Sequence, residues 1–214
     1  MYYKAGKHKE AGLAYSPFKA LVAPRPIGWI SSQSRDGIAN LAPYSFFNAI
    51  SELPPMVMFV SAPDEREGKS TPTHHSAKDS LANIMETGEF GVNIVGKKQI
   101  EGMITSAEGL SADRDEFEAA KLLKKQASDI HVPLVAGAPA QLECTLHDII
   151  TLPGTETRAG CKMVLGRVLS IHIDDDVIRE GKVDVSVFQP VARLGYKDYA
   201  TIEDVFAIAQ GVKG

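Results

Sequence analysis

The chain has 214 residues, 44% of them hydrophobic and 23% charged, with 23 Lys and Arg against 27 Asp and Glu for a net charge of −4. That balance, with no block of five or more basic residues, argues against a nucleic-acid or anionic-membrane surface. The length suffices for a core without disulfide or metal staples, and one domain over 1–214 is the expected organisation.

The N-terminus "MYYKAGKHKEAGLAY" has no apolar signal region, and no stretch approaches the roughly 18 apolar residues of a membrane span. Pro24 and Pro26 then hold Arg25 in an extended entry to a strand over "IGWISS" (27–32). Asp36-Gly37 in "SRDGIAN" is a hairpin signal joining that strand to one at 38–40. "NLAPYS" (40–45) follows. Pro43 cannot continue a ladder, so the stretch reads as an irregular turn whose N–H and C=O groups need other partners. Pro54-Pro55 stops one strand and starts the next, "MVMFVS" (56–61). The polar stretch 61–77 has a length typical of functional loops.

"SAKDSLANIMETG" reads as the best helix. Leu81, Ile84 and Met85 share a face, Ser76 and Asp79 form a capping box, and Gly88 is the stop. Further helices are expected over 97–107 and 114–125, and strands over 90–95, 141–152, 163–173 and 183–188. Strands outnumber helices throughout, which predicts a mainly β protein, a barrel or sandwich with peripheral helices. Cys144 lies in an apolar strand and reads as a buried thiol. With Cys161 it makes no CxxC, so neither is assigned to catalysis and a reducing cytosol is the expected setting.

The sequence holds no GxGxxG, P-loop, GxSxG or HExxH motif. His74-His75 lacks a third ligand in register and reads as a loop pair, so no metal site is expected. The chemistry-bearing features are small polar groups and backbone. Lys78, Asp79 and Ser80 open the best helix, where a cation, a hydroxyl and the helix dipole suit an anion. Ser31 and Ser32 end a strand. Asn40, Leu41, Ala42, Pro43, Tyr44 and Ser45 offer main-chain donors and acceptors. Singly, each has an ordinary explanation: a solvated lysine, a strand end, a common turn. Jointly they suit a flat heterocycle carrying a phosphate.

The segments "PRPIGWISS", "DGIANLAPYSFFNAIS", "PPMVMFVS", "KDSLANIMETGEFGVNIV", "DEFEAAKL", "PAQLECTL", "LGRVLSIHID" and "VARLGYKDYA" carry a resemblance. In their order they resemble the flavin reductase-like family of FMN-binding split β-barrels, which includes flavoredoxin and reductase components of two-component monooxygenases. The match spans most of residues 20–200. Ser80 stands where that family has Thr, which keeps the hydroxyl, and 62–76 is longer and more polar than the family pattern.

The resemblance implies a homodimer with FMN near the subunit interface. Ser31, Ser32 and Asn40–Ser45 would line the flavin, Lys78 and Ser80 would hold the phosphate with Asp79 beside them, and Arg25 would approach the flavin or its phosphate. Arg193 and Tyr196 would either reach the partner's flavin or, for Arg193, form an interface ion pair. The implied activity is electron transfer from NAD(P)H through flavin to an acceptor, with no side-chain acid or base for the hydride step. The alternative is a flavoredoxin-like carrier with tightly bound FMN and protein partners. Steady-state NAD(P)H consumption with free flavin separates the two.

Overall fold

The computed structural model describes residues 1–65, 77–111 and 113–208. Its strands are β1 (Arg25–Pro26), β2 (Gly28–Gln33), β3 (Ala39–Tyr44), β4 (Phe47–Glu52), β5 (Pro55–Ser61), β6 (Glu89–Ile94), β7 (Lys124–Lys125), β8 (Leu134–Val135), β9 (Ala140–Thr151), β10 (Lys162–Ile173), β11 (Ile178–Arg179), β12 (Lys182–Val183), β13 (Val191–Arg193) and β14 (Tyr199–Thr201). The helices are α1 (Phe18–Leu21), α2 (Asp79–Thr87), α3 (Ile100–Thr105), α4 (Glu116–Ala119) and α5 (Val185–Phe188). The main sheet has seven strands in the order β3-β2-β6-β9-β10-β5-β4, all antiparallel, and takes the form of a split barrel. A smaller sheet, β1-β13-β14, ties the C-terminal segment to the entry of the first long strand.

The β2–β3 hairpin turns at Asp36-Gly37 as expected, with Gly37 at φ +85°, a conformation glycine takes without steric cost. β2 is the pivot of the fold because both of its faces are buried. Ile30 points into a core with Phe59, Phe90, Leu81 and Ile84, which seats α2 on the sheet. Trp29 points into a second core with Leu41, Met103 and Phe117, which seats α3 and α4. The Trp29 indole N–H donates to Ser106 Oγ at 2.8 Å, so its burial leaves no polar atom unserved. Gly166 keeps β10 against Phe90, where an added Cβ would lie 2.2 Å from the ring.

Three sequence expectations are corrected. "NLAPYS" is not an irregular turn: Ala39–Tyr44 is a regular strand paired to β2. Pro43 is tolerated because β3 is an edge strand. The Leu41 N–H points to the open edge, so two residues on Pro43 lacks a donor only where the ladder needs none. The stretch 183–188 is a short strand end followed by helix α5, which Asp184 caps by accepting the Ser186 N–H at 3.0 Å. The helix expected over 114–125 is the single turn α4, followed by β7. Helix α2 runs as expected to Gly88, at φ +74°, but its N-cap is Lys78. The proposed Ser76 cap, the His74-His75 pair and most of the 61–77 loop lie outside the described residues. Cys144 and Cys161 are both free thiols, and burial pushes the Cys144 thiol far above its ordinary pKa. Among the described residues no helix is long and apolar enough to cross a membrane, and no group of three or more His, Cys, Asp or Glu could hold a metal ion.

Candidate functional site

A cleft of about 510 Å³ opens between β3, the start of α2, the segment after β5, the segment after α3 and the β9–β10 hairpin. It gathers Asn40, Ala42 and Tyr44 from β3 with Lys78, Asp79 and Ser80 from α2. Each is placed by an ordinary local rule. Alternation along β3 sends Asn40, Ala42 and Tyr44 to one face. The apolar face of α2, Leu81 and Ile84, docks on β2 and turns the helix's first turn toward β3. That first turn has N–H groups with no acceptor within the helix, and its N-cap Lys78 supplies no side-chain cap.

The cleft floor is a polar network. Ser80 Oγ donates to Asn40 Oδ1 at 2.6 Å, and Ser32 Oγ approaches the same oxygen at 3.4 Å. Asn83 Nδ2 donates to Ser32 Oγ at 3.2 Å, which joins α2 to β2 beneath the cleft. The Tyr44 phenol lies beside Ser80 and Ser61. Burial, aided by the Asp79 and Glu116 carboxyls, outweighs the influence of those hydroxyls and pushes its pKa up. Glu116 is buried against the network, and its Oε2 accepts the Leu41 N–H at 3.2 Å.

The remaining sequence candidates lie elsewhere. Ser32 is buried in the cleft floor, whereas Ser31 is buried on the opposite face of β2, where its Oγ accepts from Asn93 Nδ2 at 3.3 Å. Leu41 is core, while Pro43 and Ser45 are half-buried along the edge of the sheet. Arg25 is a strut: it donates to the carbonyls of Lys19, Val22 and Leu194 and lies 5.8 Å from the Phe46 ring centre. Burial, with the nearby Arg193 charge, lowers its pKa below the ordinary arginine value. Arg193 donates to the Tyr199 hydroxyl and to the Tyr196 carbonyl, and Tyr196 packs edge-on to Tyr15. None of these three lines the cleft within one chain.

Sequence reasoning missed Glu116, Arg158 and Glu65, all of which line the cleft. Arg158 Nε donates to Glu65, linking the β9–β10 hairpin to the segment after β5 at the cleft mouth. The signal for Glu116 was Asp115, which caps α4 by accepting the Phe117 N–H at 2.8 Å and so fixes where the next carboxylate falls.

The Flavin reductase like domain model matches residues 21–198. An uncharacterized protein of Aquifex aeolicus strain VF5 is 32% identical over 195 residues, covering 90% of this chain and 92% of that protein. Nitrilotriacetate monooxygenase component B from Bacillus cereus superposes with a TM-score of 0.84 at 27% identity, over 97% of both chains. Pseudomonas fluorescens 2-nitrobenzoate 2-nitroreductase NbaA superposes with a TM-score of 0.78 at 27% identity, over 100% of this chain and 98% of that one. The split barrel, the helix seated beside its edge strand and a family match over most of the length agree: this chain belongs to the flavin reductase-like domain family.

Proposed function

We propose that this chain is an oxidoreductase that binds FMN in the cleft between β3 and α2 and passes electrons from NAD(P)H to an acceptor. The observation that carries the reading is the meeting of an anion-binding helix start with a strand edge in a protein of this family. The residues fit the group. A volume of about 510 Å³ lies in the usual range for ligand sites. Lys78 and the first turn of α2 offer a cation and outward N–H donors for a phosphate. The polar edge of an isoalloxazine suits the run from Ala42 to Ser45, where β3 leaves main-chain groups open.

Bound there, FMN would supply hydride acceptance and onward electron delivery. This chain's own part is binding and electrostatics. Lys78 and the α2 start would fix the phosphate end. Ser80 and Asn40, bonded to each other, would keep the floor rigid beneath it. The Ser45 N–H, the main-chain donor left on that edge beyond Leu41 and Pro43, would stabilise negative charge on the reduced ring. No side chain is assigned a proton transfer in the hydride step.

The likeness to a monooxygenase component supports a partner monooxygenase as acceptor. The likeness to a nitroreductase supports a second reading, in which the chain itself reduces a small organic acceptor. NAD(P)H consumption with added FMN separates turnover from mere carriage. Multiple turnovers in excess free flavin support the enzyme, and consumption that stops after one equivalent contradicts it.

The reading includes a homodimer. Ile202, Val205, Phe206 and Ile208 are 39%, 63%, 83% and 80% exposed on the C-terminal segment, a run that needs an apolar surface to cover it. In a dimer Arg193 and Tyr196 would lie toward the partner's cleft. Light scattering at micromolar concentration is expected to give about twice the 23.1 kDa chain mass. A flavin-loaded monomer would contradict a shared site.

A further inference from the structure

The polar network under the cleft ends on a carboxyl that the function above does not use. Glu116 opens α4, whose Phe117 is buried in the core beside Leu41 and so presses the helix onto the outer edge of β3. Glu116 is 4% exposed yet lines the cleft. It serves the Leu41 N–H at 3.2 Å, next to Asn40 in the cleft floor. The open edge of β3 is therefore closed at Leu41, and a ligand reading that edge finds it open only farther along, from Ala42 to Ser45.

Those bonds are thin solvation for a buried ionised carboxyl. Among the described residues, the titratable groups facing the same cleft are Asp79 and its neighbour Lys78 at the start of α2, Tyr44 from β3, Asp64 and Glu65 after β5, Glu108 after α3, and Arg158 from the β9–β10 hairpin. Among these described groups acids outnumber cations, and Arg158 is paired with Glu65. Burial first, and then the Asp79 charge, push Glu116 above its ordinary pKa, against the opposing pull of its own backbone, the Leu41 N–H and the Asn40 amide.

We infer that Glu116 is a positioning residue, holding the Asn40–Leu41 edge of the cleft and taking up a proton when an anionic flavin nucleotide binds. The inference rests on the flavin reading above. A neutral carboxyl still accepts the Leu41 N–H through its carbonyl oxygen, so the edge survives protonation. What protonation removes is a negative charge facing the ligand's phosphate. An anion in the cleft raises the carboxyl's pKa further. Affinity is then full below the pKa of the empty cleft and falls as pH rises toward that of the loaded one.

The test is calorimetric titration of FMN and riboflavin into the wild type, Glu116→Gln and Glu116→Ala. Buffers of different ionisation heat count protons from about pH 5.5 to about pH 9. The wild type is expected to take up more protons with FMN than Glu116→Gln. Its affinity is expected to fall, relative to Glu116→Gln, by as much as about tenfold per pH unit within the window. Riboflavin, without a phosphate, should show a smaller difference. Glu116→Ala, which lacks the acceptor, should bind both ligands roughly five- to tenfold more weakly at every pH. Equal proton uptake by the wild type and Glu116→Gln overturns the proposal. Absence of any FMN or riboflavin binding by the wild type is a separate outcome, which overturns the flavin reading and this proposal with it.

Discussion

Lys78→Ala is expected to weaken FMN binding by about tenfold to a hundredfold while leaving riboflavin binding almost unchanged. A charge-assisted hydrogen bond to a phosphate contributes roughly 1.5–3 kcal/mol, and each 1.4 kcal/mol is about tenfold in affinity. Lys78 is exposed at the cleft rim, so solvent screening places the expectation toward the tenfold end. Riboflavin shares the ring system and lacks the phosphate, so it isolates the contribution of the helix start. Asn40→Ala should act differently. It removes the partner of Ser80 and loosens the floor that both ligands share, so both should weaken. Fluorescence-quench titration of each variant with each ligand reads the pattern directly. Equal weakening of both ligands by Lys78→Ala would remove Lys78 from the phosphate site.

The largest stability effect is expected at Glu143, far from the cleft. Its side chain is fully buried and accepts the N–H groups of Ser128 at 2.8 Å, Asp129 at 2.6 Å and Ile130 at 3.1 Å, with His172 Nε2 also bonded to it. One carboxylate thus pins the 128–130 segment to β9. Glu143→Ala would strand those donors and is expected to cost about 3–5 kcal/mol. For a chain of this length that is a fall in Tm of about 6–20 °C, measurable by calorimetry.

The pH dependence at Glu143 has a definite sign. Burial alone would raise its pKa. The His172 bond and the Ser128 and Asp129 N–H bonds outweigh burial and hold it below the ordinary value. Its contribution is therefore full above the unfolded carboxylate pKa of about 4.3 and is lost as pH falls through the lower folded value. Glu143→Gln should flatten that acid limb. An unchanged limb would place the acid sensitivity elsewhere.

What was legible in the sequence was local. Asp36-Gly37 needs only its own backbone to make a turn, and Gly88 needs only a left-handed φ to end α2. The long strands over 140–151 and 162–173 follow from β-branched and apolar runs that no nearby signal contradicts. "NLAPYS" failed because Pro43 was read against an interior ladder. Its place on an edge strand depends on the pairing order of the whole sheet. Lys78, Ser80 and Asn40 were legible as candidates because a helix start and a polar strand position are visible in the chain. Their meeting was not, since Ser80 and Asn40 are joined across 40 residues. Glu116 is farther still, 75 residues from the Leu41 N–H it serves. Arg158 meets Glu65 across 93 residues, a contact that the pairing of β5 with β10 creates.

If the cleft beside α2 holds a flavin that a nicotinamide nucleotide can reduce, anaerobic titration of the FMN-loaded protein with NADH and with NADPH, followed by visible absorbance, reads it directly. A yellow protein is expected, bleached stoichiometrically by at least one of the two nucleotides and restored by oxygen. A protein that retains no FMN after mixing, or one whose bound flavin neither nucleotide bleaches, would contradict it.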